Sequence, residues 1–376
     1  MTMMRAIIIL ALFTAVGTAQ AFTPPPITWT TPSTEPGTNK ANQPVISGGM
    51  PLGNGETVAA VFPLVHPAQL PASAGFDLVD GSVSFFVSMS TAMASDTSLF
   101  KLGMVSLTTT PSLFSGDPAS FTQTLDLATA TVTVATDIGT ARVWVDANAN
   151  RIVATVDAAP GGGAPLLDLV VRVQSVHPNR TFSYGGGFGL AQETCGPDVF
   201  EPAPLPGRPG AVVISHRNED SDVPAAFNET LVKEGLAALV PELQASDRWR
   251  HRQFGMAVDG GPALARVNAS ALASATPARS FTVAITTHAN QTDTHAAWLA
   301  QLGTAHDAHA ATGTSTAKGA HDGWWTDFWN RSWITPSSSA AGGGLSAADA
   351  TTLARQYALT RFVNAVQSGT WVPISP

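Results

Sequence analysis

Apolar and polar residues alternate along much of the chain between about residues 48 and 287. Val83, Phe85, Val87 and Met89 interleave with Ser84, Phe86 and Ser88, the period-two pattern of a strand with one buried face. Leu167, Leu169, Val171 and Val173 repeat it, and so do Phe281, Val283 and Ile285. Arg142–Val145, Asp146–Asn150 and Arg151–Val153 read together as strand, turn and strand. Asp and Asn suit that turn because their side chains bond nearby backbone and tolerate left-handed dihedrals. Gly and Pro clusters at 160–165 and 202–210 mark surface connections. So many strands without intervening helical periods predict a mainly β fold, a large antiparallel β-sandwich.

The period changes near residue 288. Thr292–Ala311 is Ala-rich and free of Pro, which predicts a helix, while the aromatic-dense stretch Asp322–Trp333 admits a helix or a tight turn. Gly342–Gly344 is a break. Ser346 and Asp349 then form a capping box, and Leu353 and Tyr357 fall on one face of the helix it opens. No segment of the chain is an evident partner for that helix, so residues 346–376 are expected to be labile to protease while the sandwich resists. The predicted organisation is a signal peptide at 1–21, a sandwich at 22–287 and a helical, aromatic linker at 288–345. Residues 346–376 read as the start of a truncated helical domain.

Composition places this fold outside the cell. Arg5, the apolar stretch Ala6–Gly17 and the small-x-small site Ala19-Gln20-Ala21 form a secretory leader; an uncleaved anchor is the alternative. No later stretch reaches the ~18 to 20 apolar residues that span a bilayer, so no membrane association is expected after cleavage. Five Asn-x-Ser/Thr sequons follow, at Asn179, Asn228, Asn268, Asn290 and Asn330, as a secreted glycoprotein would carry. Cys195 is the only cysteine, so it is either buried and inert or paired with another chain. With 12% charged residues, a net charge of -8 and no basic stripe, a nucleic-acid partner is excluded.

Four constellations carry possible chemistry. Gly53-Asn54-Gly55 is a hairpin turn, and Asn54 is either part of that turn or a rim amide that donates and accepts toward a sugar. The segment His321–Trp333 holds four tryptophans and Phe328. Trp325 and Trp329 could stack on pyranose faces, with Arg331 on a hydroxyl or carboxylate; otherwise the cluster staples the sandwich to the helices. His306 and His309 have a helical i, i+3 spacing, but without a Glu partner or a cysteine they read as solvated surface residues and no metal site is expected. The acidic run Glu219-Asp220-Ser221-Asp222 is a solvated loop or a calcium ligand set. Glycoside cleavage needs two carboxyl groups about 5 to 10 Å apart, and no pair in the sequence stands out. No nucleophile elbow, phosphate loop or dinucleotide fingerprint occurs, so no cofactor is expected.

Several segments together resemble a known family. Pro51–Gly55, Phe85–Ser90, Leu99–Gly103, Phe121–Leu127, Val143–Asn148 and Ser215–Asn218 are similar, in order, to the N-terminal β-domain of glycoside hydrolase family 95-like proteins. They resemble more closely still a domain family of unknown function numbered 5703. The Trp324–Ile334 segment resembles that family's linker, and Arg355–Pro373 its entry to a helical domain. The resemblance implies a β-super-sandwich, linker helices and then an (α/α)6 barrel that carries the catalytic carboxylates. It implies a chain without its barrel, lacking catalytic residues of its own, with Asn54, Trp325, Trp329 and Arg331 contributing to a substrate rim. The implied partner is a glycan or polysaccharide. A stand-alone secreted carbohydrate-binding or interaction module is the alternative.

Overall fold

The structure, a computed structural model, describes residues 23–32, 36–38, 44–46, 49–65, 78–93, 99–161, 163–176, 182–184, 193–218, 231–246, 248–336 and 345–367. The proposed leader, the acidic run at 219–222, Asn179 and Asn228 lie outside these residues. The strands are β1 (Ile27–Trp29), β2 (Pro36–Thr38), β3 (Pro44–Ile46), β4 (Met50–Gly53), β5 (Thr57–Leu64), β6 (Ser82–Met93) and β7 (Leu99–Thr110). There follow β8 (Thr122–Asp126), β9 (Thr131–Ala135), β10 (Gly139–Val145), β11 (Arg151–Ala158), β12 (Asp168–Gln174), β13 (Phe182–Tyr184) and β14 (Glu193–Cys195). The series ends with β15 (Val199–Phe200), β16 (Val212–Arg217), β17 (Arg252–Asp259), β18 (Leu264–Asn268), β19 (Ala271–Ser274) and β20 (Ser280–Gln291). Three long helices close the described chain: α1 (His295–Thr312), α2 (Thr314–Arg331) and α3 (Ala347–Gln367).

Two large antiparallel sheets form the sandwich. One has nine strands in the order β1-β8-β9-β10-β11-β20-β17-β16-β15, the other seven in the order β18-β19-β12-β7-β6-β5-β4. The inward residues of both sheets merge into one core, with Val61, Phe85, Val87, Val105 and Val171 facing Val143, Ile152, Val156, Ile214, Val283 and Ile285. This is the sandwich that the alternation predicted. Residues 146–150 are the turn between β10 and β11, whose last pair is Val145 with Ile152.

The nine-stranded sheet is also buried on its outer face. Val213 and Ala257 pack under Trp298 and Leu302 of α1, and Trp144 and Val153 pack under Ala317 of α2. A strand covered on both faces loses its polar alternation, which is why β17 reads Gln-Phe-Gly-Met-Ala-Val through its buried stretch. The aromatic segment therefore folds as the second half of α2, and the helix is the outcome of the two that the sequence allowed.

The N-cap half of the capping box forms as expected. Ser346 Oγ accepts the Asp349 N–H at 3.1 Å and donates to Asp349 Oδ2 at 2.7 Å. The expected orphan face of α3 is corrected. Leu353 is 42% exposed, whereas Ala358, Phe362 and Val366 are buried in the sandwich core. The four-residue spacing selects this ridge, and Phe362 lies 5.3 Å from Trp325, ring centroid to centroid. The helix thus has its partner inside the chain. Phe362→Ala should cost about 3–5 kcal/mol through the cavity it leaves. Limited proteolysis should then cut within 347–367 in the variant while the wild-type helix stays protected; equal protection of both would contradict this docking.

Candidate functional site

Most candidate residues gather where the β4–β5 turn, the β10–β11 turn and the end of α3 meet, with α2 packed alongside through His321 and Trp325. Gly55 adopts a φ of +87°, a left-handed conformation that favours glycine. Its N–H donates to Val366 O at 3.1 Å. A Cβ on Gly53 would stand 2.3 Å from the same carbonyl, so the turn reaches the helix end only because both flanking residues are glycine.

Asn54 sits between them with every polar position used. Its Nδ2 donates to Asp146 O and Ala149 O, both at 2.9 Å. Its Oδ1 accepts the N–H groups of Glu56 and Thr57 at 3.0 and 2.8 Å. An amide offers two donor protons and two acceptor lone pairs, so none is left for a sugar. Asn54 fastens one hairpin tip to another.

Beneath that contact, Asp146 and Arg151 form a salt bridge of 2.6 Å with side chains 3% and 4% exposed. Asp146 Oδ1 also accepts the Asn148 N–H at 2.9 Å, and Arg151 Nη1 donates to His309 O at 2.8 Å. The pair therefore shapes the turn and ties it to α1. Across the turn, His321 is fully buried. Its Nδ1 accepts the Ala147 N–H at 3.1 Å and its Nε2 donates to Thr129 O at 2.7 Å. These partners require the neutral Nε2–H tautomer, and burial holds the ring's pKa below the ordinary histidine value.

Trp325 and Trp329 are 1% and 2% exposed. Trp329 Nε1 donates to Leu127 O at 2.7 Å, and Trp325 stacks on Phe362. Neither indole presents a face to solvent, so the stapling alternative describes them. Trp324 and Phe328, one helical turn apart and half-buried, stack with an interplanar angle of 7°. The Arg361 guanidinium caps Phe328 at 4.5 Å. Arg331 is exposed at the end of α2. The structure thus brings Asn54, Trp325 and Trp329 into one packed junction and leaves Arg331 at the surface.

The solvated-surface reading of the histidines is also corrected, because α1 lies flat on the sheet and carries two of them inward. His306, 3% exposed, contacts Asp259 Oδ2 through Nε2 at 3.1 Å and Thr286 Oγ1 through Nδ1 at 3.0 Å. His309 Nδ1 meets the same hydroxyl at 3.0 Å. Burial, with Arg151 nearby, pushes the His309 pKa down to about 4. The hydrogen bond from His306 holds the Asp259 carboxyl below its usual value.

Sequence reasoning missed a further buried set near β16. His216 stacks on Phe254 and lies 3.3 Å from Asp198 through Nδ1, while Ser175 Oγ donates to Asp198 Oδ2 at 2.6 Å. A hydrolytic relay needs the hydroxyl on the ring nitrogen. Here it bonds the carboxylate instead. No sequence spacing links residues 175, 198 and 216. Among the described residues no group of three or more His, Cys, Asp or Glu is placed to hold a metal, and no helix is long and apolar enough to cross a membrane.

Residues 76–334, more than half of the chain, match the profile of a domain of unknown function, DUF5703. The chain belongs to the DUF5703 family. No curated protein matches it. Among solved structures, the DUF5703 chain is similar to a human-microbiome protein named as a kojibiose phosphorylase, at 8% identity and a TM-score of 0.35. That likeness covers 74% of this chain and only 35% of the other.

Two outcomes follow from the junction. Asn54→Ala should lower stability by about 2–3 kcal/mol through orphaned backbone partners, read as a lower urea midpoint with an unchanged slope. His309 and His321 both have folded pKa values below the unfolded value of about 6.5, so the unfolded chain takes up their protons first. Both contributions are complete above the unfolded pKa and are lost as pH falls below it, that of His309 as pH approaches about 4. The melting temperature should drop between pH 7.5 and 5, less steeply in His309→Gln; an unchanged slope in that variant would refute the assignment.

Proposed function

We propose that this chain is the non-catalytic sandwich-and-linker part of a secreted, glycoside hydrolase family 95-like protein that acts on glycans. In this reading the acid and base carboxylates belong to a helical barrel outside the chain. The observation that carries it is the engagement of the inward carboxylates. Asp146 is neutralised by Arg151, Asp259 meets His306 at 3.1 Å, Asp198 meets His216 and Ser175, and Glu201 meets His295 at 3.0 Å. A glycosidase acid must keep a proton to give and its partner must face the sugar, whereas these groups serve to hold turns and helices in place. The order of the motifs along the chain supplies the glycan, and the leader supplies secretion. Arg331 is the remaining rim candidate with an exposed side chain.

The alternative, a stand-alone carbohydrate-binding module, is favoured by one feature: the half-buried Trp324–Phe328 stack on α2, capped by Arg361. Aromatic faces of this kind take up the apolar faces of sugars.

The purified chain should release no aryl alcohol from aryl glycosides above the buffer rate, and turnover would overturn the non-catalytic assignment. Retention on immobilised polysaccharide that disappears in Trp324→Ala would shift the conclusion to the stand-alone module. The secreted product should begin at Phe22, as read by N-terminal sequencing.

A further inference from the structure

Three of the five sequons lie among the described residues, and their side chains are disposed differently. An N-linked glycan joins the asparagine at Nδ2, so that nitrogen has to be open to solvent with space for a sugar. Asn290 donates Nδ2 to Gln301 Oε1 at 2.9 Å, and a sugar there would crowd the seam between β20 and α1. Asn330 lies in the last turn of α2, and the hydroxyl of its sequon, Ser332, is paired with Tyr357 at 3.0 Å.

All three asparagines are exposed, and Asn268 differs in what its sequon bonds and in where it lies, at the tip of the β18–β19 hairpin. Its Oδ1 accepts both the N–H and the hydroxyl of Ser270, at 2.8 and 3.2 Å, so the sequon closes on itself and turns Nδ2 away. Arg266 fixes the backbone by donating Nε to Asn268 O at 3.0 Å. Among the described residues β18 is an edge strand with β19 as its only neighbour. A register shift between Arg266 and Asn268 leaves Val267 59% exposed. An open strand edge with an exposed apolar residue invites pairing with another chain.

We propose that Asn268 is an N-glycosylation site and that its glycan covers this sheet edge. In the reaction Nδ2 forms the bond to the first sugar carbon of a lipid-linked oligosaccharide as that carbon's bond to the lipid diphosphate oxygen breaks; the lipid diphosphate departs and takes up the proton lost from Nδ2. The inference rests on the chain entering a secretory pathway, as the proposed function holds.

The test is expression in a eukaryotic secretory host behind either the chain's own leader or a heterologous one, with occupancy read in lysate and medium. Glycosidase treatment followed by peptide mass spectrometry should mark Asn268 and leave Asn290 and Asn330 bare. N268Q and S270A should each remove one glycoform step, and S270T should restore it. A bare Asn268 behind the heterologous leader, or a glycan at Asn290 or Asn330 in its place, overturns the proposal. Glycosylated Asn268 behind the heterologous leader alone would show a competent sequon but overturn the secretion reading, and with it the use of the site in the native chain. Light scattering should show more association for N268Q than for the glycosylated protein; equal behaviour would refute the edge-covering role.

Discussion

A sheet that is apolar on both faces has to be covered twice, and the rest of this structure depends on that constraint. The seven-stranded sheet covers the inner face of the nine-stranded one, and α1 and α2 cover the outer face. Polar groups caught in the outer layer lose their water, so each must find a protein partner or destabilise the fold. Asp146 with Arg151, His306 with Asp259 and Thr286, and His321 between two hairpin turns are the resulting solutions. His321 meets the requirement by staying neutral, since burial penalises the charged ring.

The junction around Asn54 follows from the same requirement. Hairpin tips carry backbone N–H and C=O groups that no ladder satisfies, and here two tips meet beside the end of α3 and the middle of α2. One amide closes four of those groups at once. Glycine on either side admits the carbonyl of Val366, so α3 is seated by a backbone hydrogen bond as well as by Phe362. The tryptophans complete the seal from α2. An aromatic-dense segment of this kind has the composition of a sugar platform, yet the indoles of Trp325 and Trp329 are spent on packing, and composition cannot distinguish the two uses.

Much of the sandwich was legible because a period of two survives wherever one face of a strand meets solvent or polar neighbours. β6, β12 and β20 were readable in this way, and the turn at 146–150 declared itself through Asp and Asn. The capping box at Ser346 was legible for a local reason, since its partners are three residues apart. The candidate site was legible only as residue types. Asn54 was recognised, but its partners at 146 and 149 are more than ninety residues away. Trp325 and Trp329 were recognised, but the helix face that turns inward depends on the sheet beneath it. The histidines of α1 were misread because an isolated i, i+3 pair carries no sign of what will cover it.

The sequence by itself determined the strands, the turns, the caps and the sheet-rich class, because each is decided by side chains within a few residues of one another. Tertiary structure alone decided which polar residues would be dry, which carboxylate would meet which cation, and whether an aromatic ring would face a core or a ligand. Those outcomes depend on the dielectric and the geometry created when distant segments close on each other, and no local pattern encodes them.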